Sequence, residues 1–383
     1  MAADHPLASI TVLDLTRMYP GAFCSLLLAD LGADVIKVEA PGAGDGLRGM
    51  APPGSFNATH TALNRGKRSV GIDVRNADAA PVLRRLVRSA DILLESNRPG
   101  QLDDLGIGFA DLREQNPSLV WCSITGFGTT GPNASAPGHD LTFLGYAGLL
   151  DRLAESSPTP PGTTIAIPLA ATMAVAGVLA AVVDASRTGV GRQVEVDMTD
   201  SAMWVLAEDV ARAANAPAPG WGPLAGRHVY TCADGRQVTV ASTEPRTWAA
   251  LCEALDVPDL AGHRLGADPE GPVIARLVEV FGTRSAAEWL ARPGLAGGVG
   301  PVHAVEDLLE DPQVTERRSL TALDGSDARV LANPIRLDGA DGAAASAGLS
   351  EPPALGRDTD AVLAHAGYAP DEIAALRSAG IVS

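Results

Sequence analysis

The chain is short of lysine: there are two, Lys37 and Lys67, against 27 arginines, while Asp and Glu together number 46 and the formal charge is −17. An acidic chain with no basic run lacks the counterion-releasing surface that nucleic acids and anionic lipids require, so neither a nucleic acid nor a membrane surface is expected as a partner. Cysteine is equally sparse. Cys24, Cys122, Cys232 and Cys252 stand far apart with no CxxC or Cys/His ligand spacing, so no zinc site and no disulfide framework is expected, and a reduced, cytoplasmic protein fits best. Aromatics make up 4% of the chain. There is no phosphate-binding P-loop and no GxSxG elbow, which leaves phosphoryl transfer and serine hydrolysis without a starting residue. The opening MAADHPLASITVLDL carries Asp4 and no basic region before its apolar run, unlike a signal peptide. The run from Ile165 to Val183 approaches bilayer length, but its alanines, Pro168 and Gly177 read as a buried helix.

What is present is a folded composition, 46% hydrophobic and 20% charged over 383 residues, long enough for two domains. Short β-rich runs at Ile10–Leu15, Val35–Glu39, Ser69–Asp73, Ile92–Glu95 and Leu119–Ile124 alternate with helical patterns at Ala22–Leu31 and Ala79–Ser89. That alternation predicts a large Rossmann-like α/β domain with a parallel sheet. A long helix is expected from Pro168 to Ser186, with Gly189 closing it. Residues 213–225, rich in Pro, Ala and Gly, read as a linker. Beyond them HVYTC-ADG-RQVTVAS predicts a hairpin turning at Asp234-Gly235, with helices near Thr247–Leu255 and Val273–Phe281, a smaller α+β domain over 226–330. Residues 1–212 and 331–383 are expected to make the large domain. The low-complexity stretch 339–353 leads into a terminal helical segment with Asp358 and Asp360 near its start.

Two stretches, Gly44–Gly49 and Gly126–Gly131, satisfy GxGxxG. Each is followed by prolines (Pro52-Pro53, and Pro132 with Pro137) that prevent a helix from starting inside the motif, which a dinucleotide site needs. Downstream of the second, Pro137-Gly138 precedes His139 and Asp140. An imidazole can hold or release a proton near neutral pH, which makes His139 the leading candidate for chemistry. A loop histidine is also an ordinary surface residue, and composition alone leaves both readings open.

Several long runs carry a resemblance: VLDLTRMYPGAFCSLLLADLGADVIKVE, NRGKRSVGIDV, ADILLESNRPGQLDDLGIG, NPSLVWCSITGFGTTGP, GHD, GVGPVHAVEDLLEDPQ and LGRDTDAVLAHAGYAPDEIAALRSAGIV. Together they resemble the family III CoA-transferase and alpha-methylacyl-CoA racemase superfamily over almost the whole chain. The resemblance implies a large CoA-binding α/β domain built from both ends of the sequence, an interlocked homodimer, an acyl-CoA thioester as ligand, and no cofactor beyond the CoA of the substrate. It places Lys37, the NRGK turn with Arg65 and Lys67, and Arg98 of the RPG turn at the CoA. Fixed cations in an acidic chain suit its phosphates, while solvated loop charges are the plainer reading of the same residues.

GHD resembles the racemase branch, in which His139 would be the base for the proton alpha to the thioester, with Asp140 its neighbour and Glu244 of TEPRTW its orienting carboxylate. Asp140 as a helix cap and Glu244 as a helix N-terminal acid are the alternatives. The chain departs from the family at one point. The aspartate that attacks the thioester in transferases, and that opposes the histidine in racemases, lies shortly before the long helix, yet no acid occurs between Glu155 and Asp184. The missing residue removes the usual transferase nucleophile and one half of the racemase pair; with GHD in place, racemase or epimerase is the nearest label. Isomerase, lyase or cyclase by one-base enolate chemistry, CoA transfer between acids, and an inactive CoA-thioester binder stay open, as does a second acid from Asp151 or Glu155.

Overall fold

The computed structural model describes residues 5–153, 157–216, 222–337 and 350–383. They form two compact units, Met1–Ala207 with Thr315–Ser383, and Glu208–Val314. The first unit is built on a six-stranded parallel sheet: β1 Thr11–Asp14, β2 Asp34–Glu39, β3 Arg68–Gly71, β4 Ile92–Glu95, β5 Val120–Thr125 and β6 Gln193–Asp197. Its order is β3-β2-β1-β4-β5-β6, so the direction of winding reverses between β1 and β4. Central strands covered on both faces need apolar residues at successive positions. Val12 faces a layer formed by helices Met18–Asp30 and Ala166–Thr188, and Leu13 faces the other layer, with helices Ala80–Val87 and Thr359–His365.

The five expected strands form within two residues of their expected limits, and β6 is additional. The helix expected from Ala22 begins four residues earlier, at Met18, because Pro20 falls in the first turn, where its missing N–H costs nothing. The long helix runs Ala166–Thr188 and ends on Gly189 at φ +71°. Among the described residues it is the one helix long and apolar enough by composition to cross a bilayer, and here Ala170, Ala174 and Val178 are buried in the core. Residues 350–383 complete the sheet's outer edge. Gly71 N–H donates to Thr359 Oγ1 at 3.0 Å, Ser69 N–H donates to the Asp358 carboxylate at 2.9 Å, and Ser383 N–H donates to the Gly71 carbonyl at 3.1 Å.

In the second unit, β7 Arg227–Thr231 and β8 Gln237–Ala241 form the hairpin, turning at Asp234-Gly235, and β9 Val299–Pro301 pairs antiparallel with β8. Tyr230, Trp248, Phe281 and Trp289 fill its core, with Tyr230 stacked on Phe281 at 4.8 Å. The two units divide at other residues than those the composition suggests. Helix Ala207–Asn215 falls almost wholly in the second unit, and the strand pair β10 Leu320–Ala322 and β11 Arg329–Leu331 falls in the first, where Arg65 donates to the Leu331 carbonyl. Residues 217–221 of the linker, and most of the stretch 339–353, lie outside the described residues.

Candidate functional site

Where a parallel sheet reverses its winding, the loops leaving the two diverging strands part and open a crevice at their carboxyl ends. Here a cleft of about 540 Å³ opens at that end of the sheet. Its walls come from the loop after β1 (Arg17–Pro20), the turn after β4 (Ser96–Pro99), the end of β5, the segment Ala134–Asp140, and Phe143, Ile167 and Met198.

His139 is exposed in this cleft and is the N-cap of helix Asp140–Tyr146, in extended backbone. Its carbonyl accepts the N–H groups of Thr142 at 2.8 Å and Phe143 at 3.2 Å, which fixes the residue while leaving the imidazole to the cleft. The glycine loop serves packing. A Cβ on Gly126 would lie 2.7 Å from the Phe143 ring and one on Gly138 2.5 Å from it, so both glycines let that ring wedge under the loop. No helix begins inside either GxGxxG stretch: Gly46–Gly49 is a 3₁₀ turn, and no α-helix starts between Gly126 and His139.

Asp140 is 9% exposed, and its carboxylate accepts Ile167 N–H at 2.9 Å and Ile165 N–H at 3.0 Å. These are two of the orphan donors at the start of helix Ala166–Thr188, so Asp140 caps the long helix rather than its own. Glu244 stands in the second unit as the N-cap of helix Pro245–Ala254. Its exposed carboxylate accepts Thr247 Oγ1 at 2.9 Å, and that hydrogen bond holds it below the ordinary range. Asp151 is exposed on the short helix Leu149–Arg152 and does not line the cleft; Glu155 lies outside the described residues.

The four expected CoA-binding cations separate. Lys37 is buried: its ammonium donates to the Thr16 carbonyl at 2.6 Å and lies 3.4 Å from both Asp14 and Asp45. Burial would raise the Asp14 carboxyl, but Lys37, Lys67 and hydrogen bonds from Ser25 and Thr16 outweigh it and hold the group low. Lys67 is also buried, donating to the Ala22 carbonyl and to Asn64 Oδ1, each at 3.1 Å, and burial drives its ammonium down to about 7. Arg65 is buried against Asp30 at 2.8 Å, and burial pushes the Asp30 carboxyl up to about 6 against the pull of Arg65. Arg98 is exposed on the cleft, and its guanidinium has no ion-pair or hydrogen-bond partner among the described residues.

Arg17, which no motif singles out, lines the same cleft, exposed and likewise unpartnered among the described residues. Its place directly after β1, matching that of Arg98 after β4, was the available signal. Met18 beside it holds φ +62°, a left-handed conformation costly for a side chain of this size. The Asp45 carboxylate accepts its N–H at 3.1 Å, and Gly46 leaves room for its sulfur, which would lie 2.6 Å from a Cβ there. Ile167 is the residue that the first turn of the long helix presents to the cleft.

A family model described as CoA-transferase family III matches residues 7–359. Human alpha-methylacyl-CoA racemase is 28% identical over 391 residues, covering 98% of this chain and 97% of that protein. A succinate–glutarate CoA-transferase of Agrobacterium fabrum is 32% identical over 85% of this chain and 87% of its own length. Among solved structures, a CAIB/BAIF family protein from Brucella suis aligns with a TM-score of 0.80 at 30% identity, over 94% of this chain and 99% of that one.

Proposed function

The chain belongs to CoA-transferase family III, and from that membership we propose that it acts on an acyl-CoA thioester, with His139 withdrawing the proton alpha to the carbonyl. The nearest label is 2-methylacyl-CoA racemase or epimerase. One observation carries the reading: the cleft presents an exposed imidazole, while Asp140, the one carboxylate on its walls among the described residues, is spent on two helix amides. A neutral imidazole is suited to general-base catalysis near neutral pH. The enolate it leaves could be reprotonated, shift a double bond or expel a β-substituent. Arg17 and Arg98, without an ion-pair partner among the described residues, supply positive charge at the cleft for the CoA phosphates. Lys37, Arg65 and Lys67 act in this reading as buried scaffold, Lys37 holding the Thr16 carbonyl beside Arg17, Lys67 the first turns of helix Met18–Asp30, and Arg65 that helix's far end at Asp30.

CoA transfer is the second reading, favoured by the name of the Agrobacterium relative. By a covalent route it needs a carboxylate free to attack the thioester. A panel of 2-methylacyl-CoA thioesters in deuterium oxide separates the readings. Alpha-deuterium uptake that disappears in His139→Ala supports the base. Exchange of labelled free acid into the thioester, without alpha-deuteration, would replace it by transfer, and tight binding with neither reaction would leave a CoA-thioester binder.

A further inference from the structure

If His139 is the alpha-proton base, inversion needs an acid on the opposite face of the enolate. Of the ionisable side chains lining the cleft among the described residues, Arg17 and Arg98 carry guanidinium groups suited to binding anions, and Asp140 is held by two amides. Tyr19 remains. It sits in the first turn of helix Met18–Asp30, with its ring packed against two apolar clusters, one of them formed by Ala22, Leu26, Leu47 and Leu63. Its hydroxyl has no hydrogen-bond partner among the described residues.

Tyr19 and His139 line the same cleft. Tyr19 comes shortly after β1 and His139 on the longer segment after β5, and the ends of those two strands are roughly 10 Å apart, with β4 between them. The backbone before Tyr19 is pinned at three successive residues: the Thr16 carbonyl accepts from Lys37, Arg17 N–H donates to Ser96 Oγ at 3.1 Å, and Met18 N–H donates to Asp45. Such a clamp suits a group that must hold one place on a cleft wall.

We propose that Tyr19 is the acid for the face opposite His139. The imidazole takes the alpha proton as the C–H bond breaks, and the phenol O–H delivers its proton to the other face of the enolate carbon. The phenolate then takes a proton from water and the imidazolium returns one, so inversion consumes no co-reactant. The positive charges of Arg17 and Arg98 in the same cleft offset the negative charge left on the phenol oxygen.

The test is Tyr19→Phe, which keeps the ring packing, assayed with separate enantiomers of 2-methylacyl-CoA thioesters in deuterium oxide. The wild type is expected to invert configuration with deuterium uptake. Tyr19→Phe is expected to lose inversion by about 10²- to 10⁴-fold, the usual share of a positioned acid, while still exchanging alpha-deuterium with retention and binding the thioester as before. Inversion unchanged in Tyr19→Phe, or exchange only with retention in the wild type, overturns the role of Tyr19 and leaves His139 standing. No exchange in the wild type overturns both.

Discussion

Two Asn-Arg dipeptides, each in a turn at the end of an element of the same sheet unit, meet opposite fates. Arg65 of Asn64-Arg65 turns inward, pairs with Asp30 and donates to the Leu331 carbonyl. Arg98 of Asn97-Arg98 stays exposed on the cleft, with no partner among the described residues. The dipeptide is the same, and what differs is that Arg65 is paired with the buried Asp30 while Arg98 makes no ion pair among the described residues. A loop cation above such an acid becomes scaffold; one facing only solvent remains available to a ligand.

Removing the inward cation should have the largest effect. Arg65→Met leaves the Asp30 carboxylate buried without its partner and should lower stability by about 3–5 kcal/mol, read as a shift of the urea midpoint. A loss below about 1 kcal/mol would erase the distinction between the two turns. A second scaffold cation sharpens it through pH. Glu39 is held down to about 2 from 4.5: burial would raise it, but Arg48, the Asp45 amide and Ser69 overcompensate. Its folded value is therefore depressed, so its contribution is full above about pH 4.5 and is lost as pH falls toward 2. Each tenfold change in proton affinity is worth about 1.4 kcal/mol, which puts this contribution at roughly 3 kcal/mol at most. Acid titration of stability should be shallower in Glu39→Gln. The outward cation should behave in reverse. Arg98→Ala should raise KM for the acyl-CoA about tenfold, near 1.4 kcal/mol, with the urea midpoint unmoved; an unchanged KM would make Arg98 a solvated charge. The smallest effect belongs to a cation that is both exposed and paired. Arg75 lies 3.2 Å from Asp73 with 68% of its side chain exposed, and Arg75→Ala should change stability by less than about 0.5 kcal/mol in the same unfolding assay.

Much of the scaffold was legible from residue order alone. The apolar runs of β1 to β5 announce a parallel sheet, and Asp234-Gly235 announces the hairpin of the second unit. β6, QVEVD, was not legible, because an edge strand with polar residues at alternate positions lacks the continuous apolar run of a central one. The site divides in the same way. The prolines and glycines around His139 mark its loop, but nothing local marks Lys37 as buried. Its partner Asp14 lies opposite it only through the register of β1 on β2, and Asp30 and Arg65 meet across 35 positions. Whether a cation faces a ligand or a buried acid is decided by such distant pairings, which local spacing does not carry.

The bonds from residues 350–383 to β3 also bear on the order in which the molecule is made. Domains generally fold as units while the chain emerges from the ribosome. The second unit, Glu208–Val314, is one continuous stretch and has all its residues once Val314 has emerged. The first unit begins the chain yet waits for Asp358, Thr359 and Ser383 to satisfy the edge at Ser69 and Gly71. The unit synthesised first is thus the unit finished last. Until residues 350–383 are in place, the outer edge of β3 lacks these partners, and an unpaired strand edge is a template for pairing with another chain.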